Sequence, residues 1–321
     1  MTRHTKAYIA LIFICIVWGT TYLGIRMAVM HYPAFLFAAV RQVASAAIIL
    51  AIGLAINRKA DLSRSNLVHQ AIVGFLLITV GNGLVTWGER SVPSGIAALI
   101  CSLMPLVSVI ASLIIYKEEK VNSFIVIGML VGFMGVGLIF KDDVSGITNK
   151  DYLIGILAIF VATSSWAIGS IINKKRKSGI NPVFNSGLQL LFGGVFLFMF
   201  SPIVDDYSEM HFMHPEVLWP MVYLVIFGSV LAYTAYMYAL KELPVGVVSL
   251  YAYVNPLVAV VLGYLVLNEP LTWITGLSFV SIVTGVYLVN YGYRKQHKAK
   301  ETKDFGNNAI SALPVPESKN R

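Results

Sequence analysis

The chain has 321 residues, of which 57% are apolar and only 12% charged, and it carries a formal net charge of +8 with a mean hydropathy of +0.74. Soluble domains hold about twice that share of charged residues, so the composition excludes an ordinary soluble enzyme and identifies an integral membrane protein. The positive balance does not point to nucleic acid, because most Lys and Arg residues fall in alternate loops between apolar runs.

Those runs are roughly 20 residues long, enough to cross a hydrocarbon core of about 30 Å. They predict about ten helices, over 6–27, 33–56, 67–88, 92–116, 123–140, 152–173, 182–203, 217–239, 245–267 and 273–293. The first begins like a signal peptide, after Arg3, His4 and Lys6. It passes Trp18, Gly19 and Tyr22 without a small-residue cleavage site, so it is expected to be retained. With the N-terminus in the cytoplasm, the inner loops receive Arg58, Lys59, Arg64, Lys117, Lys120, the cluster 174–177 and Lys241. The outer loop 205–216 then has four acids and no Lys or Arg. This asymmetry predicts that both termini lie inside. The stretch 294–321 has no apolar period and is expected to be a disordered, basic cytoplasmic tail. Cys15 and Cys101 lie within apolar helices and read as packing residues.

The chain repeats itself. Pro93 and Pro244, Gly95 and Gly246, Pro105 and Pro256, and Glu118 and Glu269 are all separated by 151 positions. Trp18 pairs with Trp166, Pro33 roughly with Pro182, Gly128 with Gly276 and Gly137 with Gly285. The units are 1–140 and 152–293, with an outer linker at 141–151. Five helices per unit is an odd number, so the second unit enters the membrane upside down. The predicted fold is therefore an all-α integral membrane protein of about ten transmembrane helices in two inverted five-helix repeats.

Several motifs carry a resemblance: Trp18-Gly19-Thr20-Thr21-Tyr22, the helix opening over 33–41, the run GNGLVTWGE over 81–89, and Glu118 followed by Gly128 and Gly137. The last recurs as Asn268-Glu269-Pro270 followed by Gly276 and Gly285. Over 8–293 the chain resembles the EamA family of the drug/metabolite transporter superfamily. The resemblance implies two inverted halves around a central cavity in a bacterial inner membrane, with export of small metabolites as the usual direction. It supplies no substrate. The second half departs from the pattern at Ala167-Ile168-Gly169, in place of Gly19-Thr20-Thr21, and at Gln189, near where Arg41 would recur.

On the fourth helix, Ser94, Ala98, Cys101, Pro105, Ser108 and Ser112 share one face, and Val245, Ser249, Ala252, Pro256, Ala259 and Gly263 repeat it on the ninth. Such small stripes permit close helix crossing. Alternatively, Pro105 and Pro256 kink and gate the two helices by freeing the carbonyls of Cys101 and Ala252. Arg41, about eight residues into its helix, costs on the order of 2.5–3.5 kcal/mol at membrane depth, so it either faces a cavity or snorkels. Arg26, nearer a helix end, is expected to snorkel.

Asn82, Thr86 and Glu89 share a face, and the offset of 151 sets Tyr233 opposite Asn82. Glu89 reads either as a solvated helix-end residue or as the group that couples transport to protons. Trp18, Tyr22, Trp166, Gln189, Tyr233, Tyr236, Tyr251 and Asn255 complete a candidate substrate-binding wall. An aromatic box of this kind suits amphipathic metabolites and cations, although each aromatic taken singly also fits packing or an interfacial belt. Trp87, Trp219 and Trp273 fit the belt better. Gly128, Gly132, Gly135 and Gly137 mark a close helix contact over 123–140, either internal or a homodimer face.

A membrane enzyme needs a nucleophile and base, paired carboxylates or metal ligands at depth, and none of the six histidines falls in the middle of a predicted span. His211 and His214, with Glu209 and Glu216, form either a solvated loop or an outer metal site. No Walker-type loop exists to drive an ATP pump. No catalytic residue, resident metal, cofactor or nucleic-acid partner is expected, and the partners are a small-molecule substrate and the bilayer. A membrane-embedded enzyme or a lipid or ion pathway remains the alternative to a secondary transporter that exports small amphipathic metabolites.

Overall fold

The computed structural model describes residues 3–57, 59–104, 106–108, 110–111, 122–142, 149–175, 181–208, 210, 214–243 and 251–311. These form ten helices in the order predicted, with no strand among the described residues. Helix α1 spans Arg3–Val29, α2 Ala34–Ile56 and α3 Arg64–Gly88. Helix α4 runs from Ser94–Cys101 into the apolar stretch Ser94–Ser108, and α5 is Ser123–Asp142. In the second half α6 is Lys150–Lys175, α7 Pro182–Val204, α8 Pro215–Tyr236 continuing through Ala232–Glu242, α9 Tyr251–Leu267 and α10 Trp273–Ser311. Seven are long and apolar enough to cross a bilayer, and α4, α5 and α9 hold shorter apolar stretches within the described residues.

The packing follows the repeat. Helix α2 lies on α7, α5 on α10 and α4 on α9, each against its own counterpart. Helix α1 contacts α8 and α9, and the equivalent helix α6 contacts α3 and α4. Exchanging the halves returns the same set of neighbours, as two inverted copies require.

Both third helices of the repeat contain a π-helical segment, Phe75–Asn82 in α3 and Leu224–Leu231 in α8. The wider turn releases carbonyls from ordinary helical bonding, and at membrane depth these need donors from neighbouring protein. The donor comes in each case from the first helix of the other half. Trp18 Nε1 donates to Gly228 O at 3.1 Å, and Ser165 Oγ donates to Leu76 O at 2.8 Å.

Carboxylates of the second half cap helices of the first. Phe35 N and Leu36 N, at the start of α2, donate to Asp205 at 3.1 and 2.8 Å. At the start of α4, Ser94 N and Ser94 Oγ donate to Glu269 at 2.7 and 2.9 Å, and Gly95 N at 3.3 Å. Negative charge at a helix N-terminus satisfies orphan amides and the helix dipole together. Asn268 makes this geometry reachable, because it turns the end of α9 through φ 54°, a left-handed conformation that Asn tolerates better than most residues. Glu269→Ala is expected to lower stability by about 1–2 kcal/mol, the cost of losing a cap, as measured by thermal denaturation in detergent. An unchanged midpoint would remove Glu269 from this role.

The glycine-rich face of α5 is used inside the chain. A Cβ on Gly285 of α10 would lie 2.5 Å from Gly132 N and 2.6 Å from Gly128 O, so the two backbones are in direct contact there. Gly135 meets Ile282 in the same way, and Ser281 Oγ donates to Val131 O at 2.8 Å. Any homodimer through this helix must therefore use its opposite side, which exposes Val126, Ile127, Leu130 and Met134.

The paired small-residue faces also meet each other, at least at one end. Gly95 packs on Val260, and a Cβ on Gly263 would lie 2.9 Å from Ser94 Oγ. Helix α4 is interrupted by a turn at Ser102–Leu103, three and two residues ahead of the sequence position that follows Met104, whereas α9 passes through Pro256 as one helix. Pro105 itself lies outside the described residues, as do Ser112, Glu118, Val245, Ser249, most of the linker and 312–321. The basic segment from 294 is helical as far as Ser311, where the sequence predicted no regular structure. Ala299, Lys300, Glu301 and Lys303 are helix formers, and no proline intervenes before Pro314.

Candidate functional site

Three polar or aromatic groups sit inside the bundle. The first is an aromatic box. The Trp18 ring of α1 lies 5.2 Å from Tyr236 of α8 and 5.1 Å from Tyr251 of α9, and the two tyrosines are 6.0 Å apart. The Trp18–Tyr251 and Tyr236–Tyr251 pairs meet edge to face, a geometry favoured by the ring quadrupoles. Buried Asn255 lies one turn along α9, and with its amide turned so that nitrogen faces the two backbone carbonyls it donates to Cys15 O at 2.9 Å and Tyr251 O at 3.0 Å. Four of the residues predicted for the wall are thus brought together by three helices. Tyr233, one turn from Tyr236, hydrogen-bonds Ser186 on α7.

The second group is charged. Glu89, expected at the sequence level to be solvated or coupling, is fully buried, and neither carboxylate oxygen has a hydrogen-bond partner. Close packing of α3 on α6 explains the burial. A Cβ on Gly88 would sit 2.6 Å from Ile159 Cγ1 and 2.9 Å from Gly155 O, so the end of α3 is drawn into the bundle. Arg26 corrects a second expectation. Rather than simply snorkelling, it donates from Nη1 to the backbone carbonyl of Glu89, a cation at the C-terminus of α3. Arg26, Glu269 and Arg41 are the charges within electrostatic reach of the Glu89 carboxylate, and Tyr22 lies near it while hydrogen-bonding Cys101. Thr163 Oγ1 in turn donates to Cys101 Sγ at 3.8 Å.

Arg41 is 6% exposed, with Nε and Nη1 unpartnered, which decides against snorkelling. It lies beside the π segment of α8, since a Cβ on Gly228 would be 3.7 Å from Arg41 Nη2. The same Gly228 accepts the Trp18 hydrogen bond, so the charged group and the aromatic box adjoin across one residue. Burying such groups without hydrogen-bond partners costs several kcal/mol unless a charge, a proton or a ligand compensates.

The third group was not anticipated. Asn66 Nδ2 donates to Asn185 Oδ1 at 3.0 Å, Gln70 Nε2 to Asn66 Oδ1 at 3.0 Å, and Gln189 Nε2 to Gln70 Oε1 at 2.7 Å and Asn173 Oδ1 at 3.1 Å. Gln189 is therefore engaged between α3, α6 and α7 and is not part of the aromatic box. The signal was present as two amide pairs spaced i, i+4, Asn66 with Gln70 and Asn185 with Gln189.

Asn82 accepts from Gln42 Nε2 at 2.9 Å, leaving the buried Gln42 Oε1 without a partner. Gln42, next to Arg41, was missed. The π segments align at an offset of 149, the difference between Leu224 and Phe75, which sets Leu231 and not Tyr233 opposite Asn82. Trp166 does not join Trp18. It rests on Gly81 and is 37% exposed.

Comparison with known proteins agrees with this architecture. The profile of the EamA-like transporter family matches twice, over residues 5–141 and 153–291. The chain is 32% identical over 287 residues to the uncharacterized inner membrane transporter YedA of Escherichia coli (strain K12), covering 88% of this chain and 90% of that one. It is 26% identical to the uncharacterized transporter YvbV of Bacillus subtilis (strain 168), with 92% and 95% covered, and 27% identical to the protein PecM of Dickeya dadantii (strain 3937), with 90% and 95% covered. A known crystal structure with 18% identity superposes at a TM-score of 0.64 over 91% of this chain and 99% of that one, a likeness of fold. Two family-sized repeats, ten helices and a full-length relative above 30% identity make this chain a member of the EamA-like transporter family.

Proposed function

We propose that the protein is a secondary transporter that exports a small amphipathic metabolite across a bacterial inner membrane by alternating access, with both termini in the cytoplasm. The inner-membrane assignment rests on the relatives' names and the orientation on the distribution of Lys and Arg. This reading is of transport and not of catalysis. The observation that carries it is the convergence of Trp18, Tyr236, Tyr251 and Asn255 from three helices, beside the unpartnered atoms of buried Arg41. Aromatic faces with few polar groups hold an amphipathic solute, and Glu89 is the coupling group.

Alternating access is supported by a break in the internal symmetry. Inversion relates the Gly128–Gly285 contact to a Gly137–Gly276 contact. The first is closed to backbone distance, whereas a Cβ on Gly137 or on Gly276 meets nothing within 4 Å among the described residues. One member of the symmetric pair is shut and the other open, which is the arrangement expected of a bundle that rocks between two states.

Tyr236→Ala and Tyr251→Ala, which each remove one wall of the aromatic box, are both expected to reduce uptake of amino acids or aromatic cations into proteoliposomes several-fold, with helix content retained. Unchanged transport in both variants would refute the cavity assignment.

A further inference from the structure

We propose that the protein binds a divalent transition metal of the zinc type where the α1–α2 turn meets the start of α8, through His31, His214 and Glu216. Their ligand atoms lie within 4.8 Å of one another although two sequence segments supply them. His31 Nε2 is 2.9 Å from Glu216 Oε2, and the His31 and His214 rings stack with centroids 4.3 Å apart.

The local backbone organises the donors. His214 is the N-cap of α8, and its Nδ1 accepts from Glu216 N at 3.3 Å, which fixes the ring and leaves Nε2 as the ligating nitrogen. Pro215 at the first helical position holds Glu216 in the same turn. Two imidazoles and one carboxylate form a donor set suited to Zn²⁺ and unlike the all-oxygen sets of Mg²⁺ and Ca²⁺. Bonds of about 2.0–2.1 Å place tetrahedral ligand atoms roughly 3.3 Å apart, so the cluster needs only side-chain rotation to open the ring stack and converge. His31 also lines an open surface pocket of about 290 Å³ with Tyr32, Arg90, Asp206 and Ser208, so its ring is reached from solvent. Sequence alone pointed to His211 with His214; His211 and Glu209 lie outside the described residues. The structure brings His31 to His214, because the turn after α1 is carried against α8 by the packing of Ile25, Ala28 and Val29 on Val217 and Met221. A metal here ties the first half of the chain to the second at one end of the bundle.

The test uses the untagged full-length protein in detergent, stripped with chelator and titrated with Zn²⁺, with Co²⁺ as a spectroscopic probe and Mg²⁺ as control. One Zn²⁺ per chain is expected to bind saturably. The thermal midpoint should rise with each tenfold excess over Kd, as linkage requires, and Co²⁺ should give tetrahedral visible absorption. His31→Ala, His214→Ala and Glu216→Gln should each remove the metal-induced shift and the spectrum, each read against the variant's own metal-free midpoint because His214 also caps α8, and His4→Ala should leave both intact. Absence of saturable Zn²⁺ binding, an equal response to Mg²⁺, or retention of the Co²⁺ spectrum in both histidine variants would overturn the site and leave a plain His31–Glu216 hydrogen bond. Because the readout is binding, failure here would leave the transport reading untouched.

Discussion

Gly285→Leu is expected to destabilise the purified protein by at least about 3 kcal/mol, the upper part of the range for overpacked sites. The first carbon added already falls 2.5 Å from Gly132 N and 2.6 Å from both Gly132 Cα and Gly128 O. All three are backbone atoms of α5, so no side chain can swing aside and the helices must separate. Gly276→Leu is the informative contrast. It occupies the position that inversion relates to Gly128 and has nothing within 4 Å of its added Cβ among the described residues, so its effect on stability should stay within about 0.5 kcal/mol, as at other exposed sites. Under the alternating-access reading, that side chain blocks closure of the Gly137–Gly276 contact in the opposite state. Transport in proteoliposomes should therefore fall to the level of protein-free vesicles although the fold is intact. Wild-type transport by Gly276→Leu would show that the α5–α10 contact does not exchange during turnover.

Glu89 carries the second large effect. Glu89→Gln keeps the shape of a fully buried side chain whose oxygens have no partner, so the fold should be retained. If the carboxylate couples transport to protons, flux driven by an imposed pH gradient should drop to background while substrate exchange across equal pH continues. Gradient-driven flux that survives the substitution would end the coupling role. Arg41→Ala tests the surrounding field. The two groups form no ion pair, so only a through-space attraction is at stake, and the loss is expected to stay below the cost of breaking a buried contact pair. The double variant Arg41→Ala with Glu89→Gln should recover part of that loss. Strict additivity of the two single changes, read from thermal midpoints, would show that the two groups do not interact.

The charged group shows why some assignments need tertiary structure. Glutamate at the end of an apolar helix is equally compatible with water and with the interior, and periodicity along α3 does not distinguish them. The close approach of Gly88 to Ile159 and Gly155 decides the matter for Glu89, and that contact belongs to α6, more than 60 residues away in sequence. Arg26 is similar. Its carbonyl partner lies on another helix, so length and depth alone suggested snorkelling.

The aromatic box was partly legible. Trp18, Tyr236, Tyr251 and Asn255 were singled out for chemistry suited to an amphipathic solute, and the packing of α1 against α8 and α9 assembles them. Trp166 and Gln189 were singled out on the same grounds, yet one lies on Gly81 and the other enters an amide network. What separates the two outcomes is the rotation of each helix about its own axis.

The amino-acid sequence by itself determined the membrane class, the ten helices, the duplication and its inversion, because these depend on run length, charge placement and the parity of a repeat. Tertiary structure alone decided which glycine pair is closed, which carboxylate caps which helix, and where the buried charges find or lack partners. The physical reason is that such choices turn on contacts of about 3 Å between helices distant in sequence. In a bilayer, every interior polar group must find its partner within the protein, and no pattern along one helix specifies the neighbour that supplies it.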